Sequence, residues 1–129
     1  MTTPASRPRG RRTALFLTAL LGAAGVGHVR RPEFFDQIVP PALPGGPRPY
    51  TLASGAAELV TAGLLALPAT RRLGGWAAAA LFVAVFPANV QMAWDWRHRD
   101  AAAQSVSLGR LPLQGVLIAQ ALRVARGGR

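Results

Sequence analysis

One glutamate, Glu58, stands in the middle of the run "SGAAELVTAGLLAL" (54–67), whose other residues are small or apolar. A carboxyl group in apolar surroundings is costly and is normally turned toward a protein interior or a wet cavity. The chemistry open to it there is proton exchange or hydrogen bonding to a ligand. Further polar residues interrupt the other apolar stretches: His28 at the end of "GAAGVGHV", Asn89, Gln91 and Asp95 in "PANVQMAWD", and Gln114 in "LPLQGV". Side-chain amides donate to carbonyl oxygens. Glu58, Asn89, Gln114, Gln91, Asp95 and His28 therefore form a candidate polar pocket, one that would hold an oxygen-bearing ligand beside a proton exchanger. No residue is assigned a catalytic role. His28, next to Arg30 and Arg31, reads first as an interfacial residue, and His98 in "WRHRD" as a solvated one.

Four apolar segments must position these residues, at about 13–29, 51–67, 73–94 and 108–124. Each approaches the roughly 20 residues with which a helix crosses a bilayer. A soluble bundle would need polar faces repeating at the helical period, and the first and third segments lack them. The expected fold is all-α: an integral membrane four-helix bundle over 13–126, between a basic tail at 1–12 and a short tail at 127–129. "RPRGRRTALFLTALLGAAGVG" also has the basic start and apolar core of a secretory signal, but three more apolar segments follow and no A-x-A site closes it, so it reads as the first spanning helix.

All 15 basic residues are arginine and the formal charge is +10. The arginines flank apolar segments, which points to a lipid bilayer as partner and not to nucleic acid. With the N-terminus inside, nine arginines lie on the inner side and five on the outer, Arg110 being left out near the outer end of the fourth helix. That bias places both termini in the cytoplasm. At about 1.5 Å per residue, Glu58 then lies ~10 Å below the outer surface, Asn89 ~8 Å, Gln91 ~5 Å and Gln114 ~9 Å. The polar pocket belongs to the outer half of the bundle. Pro87 frees the carbonyl of Val83 and kinks the third segment just before Asn89.

Helices in lipid approach closely through small residues. The spacing predicts packing stripes of Ala19, Ala23 and Gly27 on the first segment and of Ala80, Ala84 and Ala88 on the third. On the second, Glu58 shares a face with Ser54, Gly55, Thr61 and Ala62, while Leu52, Leu59 and Leu67 point elsewhere. The first outer connection, "RRPEFFDQIVPPALPGGPRPY", should open with a short interfacial helix over 32–39, with Phe34, Phe35 and Ile38 on one face. A stiff Pro-rich crossing above the polar layer should follow.

With no cysteine, thiol chemistry and Cys-based metal sites are excluded in this sequence. No H-x-x-H or E-x-x-H spacing, nucleotide-binding loop or nucleophile elbow occurs, so no metal site is expected.

The strings "GVGHVRRPEFFDQIVPPALP", "SGAAELVTAGLLALPATRRLGGW" and "VFPANVQMAWD", in this order, resemble the DoxX-like family of small four-helix bacterial membrane proteins. The resemblance covers Leu15 to Trp96 and extends to the last helix only in character. The positions that match the family's pattern are His28, Pro32, Pro40, Glu58, Pro87, Asn89 and Asp95. The resemblance implies a bacterial inner-membrane location. It also implies association with quinone-linked respiratory oxidoreductases, including thiosulfate:quinone oxidoreductase, or with membrane complexes of oxidative-stress defence. The expected function is thus a quinone- or redox-linked membrane subunit, with quinone as the implied ligand and an oxidoreductase subunit or a second copy as partner. A non-enzymatic scaffold and a small dimeric transporter are the alternatives.

Overall fold

The computed structural model describes residues 8–127, which form five helices and no strand. They are α1 (Pro8–Arg30), the short α2 (Pro32–Asp36), α3 (Arg48–Ala66), α4 (Arg71–Asp95) and α5 (Ala101–Ala125). The four long helices run up and down in chain order. α1 packs on α3, α3 on α4, α4 on α5, and α5 back on α1, while α2 lies against α1 and α3.

Helix limits follow local chemistry. α1 begins at Pro8, so part of the expected basic tail is already helical; the rest of that tail, 1–7, lies outside the described residues, as do 128–129 of the C-terminal one. α5 begins at Ala101, seven residues ahead of its apolar segment, because the Asp100 side chain accepts a hydrogen bond from the Ala103 N–H at 2.8 Å and caps it. Pro32 sits in the first turn of α2 and Pro49 in that of α3, where a missing N–H costs nothing. Between them Gly45 and Gly46 take φ of +89° and +78°, a turn that favours glycine, and Tyr50 Oη pins the crossing by donating to the Pro44 carbonyl at 2.8 Å.

The apolar core holds Ala14, Leu17 and Leu21 of α1, Ala62 and Leu65 of α3, Ala78, Ala79 and Phe82 of α4, and Leu117, Ala121 and Val124 of α5. This corrects two expected packing stripes. Ala19 and Ala23 are exposed, and α1 instead buries Ala14, Leu17, Leu21 and Gly25. Ala80 and Ala84 are exposed too, and α4 buries Gly74, Gly75, Ala78, Ala79 and Phe82. On α3 the buried face is Thr51, Gly55, Glu58, Thr61, Ala62 and Leu65, with Leu52, Leu59 and Leu67 exposed.

Glycines set the closest approaches. A Cβ on Gly25 would lie 2.7 Å from Leu59 Cγ, and one on Gly55 2.8 Å from His28 Cβ, so α1 and α3 cross there nearly backbone to backbone. At the other end of the bundle a Cβ on Gly74 would lie 2.7 Å from the Leu65 nitrogen, and one on Gly75 would collide with the backbone of Ala125.

Two helices, Gly10–Arg30 and Arg71–Asp95, are long and apolar enough to cross a membrane. α3 and α5 fall short of that measure among the described residues, where four spans were expected. Both carry the polar side chains that line the site described next.

Candidate functional site

The bundle encloses a cavity of about 790 Å³ to which every helix contributes. His28 comes from α1, Glu58 from α3, Asn89 from α4, and Arg110 and Gln114 from α5. Phe35 of α2 and Ile38, Val39, Pro40 and Leu43 of the crossing line it as well.

The crossing is held down by Asp36, which sequence reasoning missed. Its Oδ1 accepts from Thr51 Oγ1 at 2.6 Å and its Oδ2 from Arg48 Nε at 3.0 Å, tying α2 to the first turn of α3. The Thr51 hydroxyl first, and the Arg48 guanidinium with it, hold the Asp36 carboxyl below its ordinary value. The only sequence signal for this clasp is an acid 12 residues before an arginine across a Pro-rich turn.

Glu58 is 7% exposed. Its Oε1 accepts from Ser54 Oγ at 3.5 Å, and its Oε2 lies 3.0 Å from His28 Nδ1. That nitrogen is also 2.7 Å from the Ala24 carbonyl oxygen. Nδ1 thus lies between the Ala24 carbonyl and the Glu58 carboxylate, and the buried Oε2 has the imidazole as its one close polar neighbour among the described residues. The imidazole stacks on Phe35, with ring centroids 3.7 Å apart and planes 19° from parallel. α2 thus seats His28, and His28 faces Glu58. Phe34 does not share that role: it is exposed, edge-on to Phe35.

Asn89 is 3% exposed, lines the cavity, and makes no side-chain hydrogen bond among the described residues. A buried polar group is normally paired, so an open amide facing a cavity is poised for a partner that comes from elsewhere. Gln114 is committed differently. Its Nε2 donates to the Phe82 carbonyl at 2.6 Å, one residue before the Val83 carbonyl that Pro87 deprives of its helical donor. Gln114 therefore ties α5 to α4 one turn ahead of Pro87.

Arg110, near the outer end of the fourth apolar segment, lines the cavity and is half-buried. Its Nη1 donates to Met92 Sδ at 3.6 Å, a weak acceptor, and it forms no ion pair among the described residues. Two expected members are absent from the cavity wall. Gln91 Nε2 donates to Asp95 Oδ1 at 2.9 Å, and the two pair with each other on an exposed face of α4. Their four-residue spacing, which suggested a shared face, is satisfied by this local pair.

The chain belongs to a family described as a domain of unknown function (DUF8561), whose model matches residues 17–125. No curated protein and no solved structure matches it. The matched span contains every residue of the cavity wall.

Proposed function

We propose that this chain is a multi-pass membrane protein whose four long helices form a bundle in the bilayer, and that its cavity binds a small molecule with an oxygen-bearing head group. The observation that carries this is the distribution of polarity. Glu58, Thr51, Thr61, Asn89, Ser107 and Gln114 are buried, whereas Leu15, Phe16, Val60, Leu73, Trp76, Val83, Leu113 and Val116 are among the exposed side chains. A bundle folded for water buries its leucines and exposes its amides. On α3, α4 and α5 this chain buries polar side chains, and all four long helices expose large apolar ones, as expected where lipid is the solvent and the polar groups must find partners inside. Part of the polarity that keeps α3 and α5 from looking like spans faces the cavity, through Thr51, Ser54 and Glu58 of α3 and Arg110 and Gln114 of α5.

The resemblance to DoxX-like proteins favours a quinone head group, and with it a redox-linked subunit of the bacterial inner membrane with both termini in the cytoplasm. Asn89 and Arg110 are donors suited to a carbonyl oxygen, and the Glu58–His28 pair is suited to hold a proton beside it. Reducing a quinone to a quinol takes two electrons as well as two protons. In this reading the electrons come from a partner oxidoreductase subunit.

The test is equilibrium binding of a benzoquinone to the purified protein in nanodiscs, for wild type and Glu58→Gln. Saturable binding by the wild type, weakened in the variant, is the expected result. No binding by well-folded protein would leave the polar layer a device that locks a scaffold.

A further inference from the structure

A second concavity, of about 540 Å³, runs along the outside of the α3–α4 seam. Ala56, Val60 and Leu64 line it from α3, and Ala77, Ala80 and Ala84 from α4. Its one polar side chain, Thr61, donates its hydroxyl to the Ala57 carbonyl at 2.7 Å, so the groove offers no free donor there. Ala57, Leu81 and Ala84 line both this groove and the polar cavity. The two spaces adjoin along one seam, polar at one end and apolar at the other. α3 and α4 are drawn together at their hairpin end by Gly74 against Leu65, while farther along alanine side chains meet across the seam and leave it shallow. The opposite approach is covered by α2 and the crossing, clasped by Asp36.

We infer that the cavity takes an amphiphile with a single hydrocarbon chain, which reaches the site sideways from the bilayer between α3 and α4. The oxygen-bearing head lies against Asn89 and Arg110, and the chain lies in the alanine groove. The inference rests on the proposed ligand site and adds the class of ligand and its route. The two spaces match the two parts of such a molecule. The head meets an amide that is 97% buried with no partner of its own, and a guanidinium without a carboxylate. The chain meets a groove about 10 Å long, the rise of the seven residues from Ala77 to Ala84. The exposed alanines Ala80 and Ala84, which pack against no helix, are explained as the floor of that groove.

The experiment uses full-length protein in nanodiscs and a benzoquinone bearing a ten-carbon chain with a diazirine near its end. Light-induced labelling should fall on residues 56–64 and 77–84, and a saturating chainless benzoquinone should suppress it. Val60→Phe with Ala80→Phe, two exposed positions that line the groove and not the polar cavity, should lower the labelling by about tenfold by filling the groove. The same variant should bind the chainless compound as the wild type does. Labels spread over α1 and α5 would overturn the inference, as would labelling that the chainless compound cannot suppress, which would mark the groove as holding bulk lipid. In both cases retained binding of the chainless compound would leave the site itself standing. Failure of either compound to bind would remove the site and the inference together.

Discussion

The two ends of the bundle are built on opposite plans. At the end where α3 turns into α4, backbone approaches backbone at Gly74 and Gly75, and the core between them is Leu, Ala and Val. Most loose polar groups there are tied off locally, the buried Oε1 of Gln120 on α5 being an exception. Arg71 Nε and Nη2 donate to the Leu65 and Ala66 carbonyls, Arg72 Nε to that of Ala125, and Thr70 Oγ1 to that of Leu64, closing the C-termini of α3 and α5. At the other end the same four helices enclose a cavity with an open amide and a guanidinium without an acid. One end is closed by packing and by backbone-directed hydrogen bonds. The other is incomplete by the same standards, and groups left unpaired at a cost are the ordinary mark of a place where a ligand completes the set.

The largest effect is expected at the closed end. Gly75→Val places a branched side chain against the backbone of Ala125, where no rotamer change relieves it. It should destabilise the bundle by about 3 kcal/mol or more, read as a lowered unfolding temperature in detergent. Tolerance of this change would mean that α4 and α5 do not pack as described.

Gln114→Leu should come next. It removes the donor to the Phe82 carbonyl near Pro87, for a loss of about 1 kcal/mol on the scale of hydrogen bonds between membrane helices. Asn89→Leu, one helix away and equally buried, should behave in the opposite way. It deletes an amide that has no partner, so stability should hold or rise by about 1 kcal/mol while ligand binding is lost. The pair sharpens the contrast within the open end: Gln114 supports the bundle and Asn89 serves the cavity. Equal destabilisation by both would erase that distinction.

The smallest effect concerns the crossing over the cavity. The Asp36 carboxyl is held below its ordinary value of 3.8 by Thr51 and Arg48, so the folded state favours its charged form. Its contribution is complete above 3.8 and is lost as pH falls through the lower folded value. Amide exchange in α2 should therefore accelerate only under acid conditions, with α3 and α4 unaffected. Asp36→Asn should show the faster exchange already at neutral pH.

Much of this was legible along the chain. The helical period around Glu58 carries Gly55, Thr61 and Ala62 to its own face and Leu52, Leu59 and Leu67 to others, because a helix repeats every 3.6 residues whatever it packs against. Apolar length located four segments, and prolines located the crossing. The α1 and α4 stripes were not legible. α4 carries alanine at 77, 78, 79 and 80, and again at 84 and 88, so small residues occur on several faces and their spacing selects none. The choice of Ala78 and Ala79 over Ala80 is made by Gly74 and Gly75, whose missing side chains admit α3 and α5 on that side.

Residues that act through a neighbour on their own helix could be placed from their spacing, but which partner a polar side chain takes could not. Gln91 and Asp95 turned to each other, since a partner four residues away is always within reach. Arg110 looked like one more flanking arginine and became the cavity's unpaired cation, because α4 sets Met92 and Asn89 nearby and no acid. Local periodicity is a property of one helix. The composition of a cavity wall is a property of four, and it exists only once their faces have been matched.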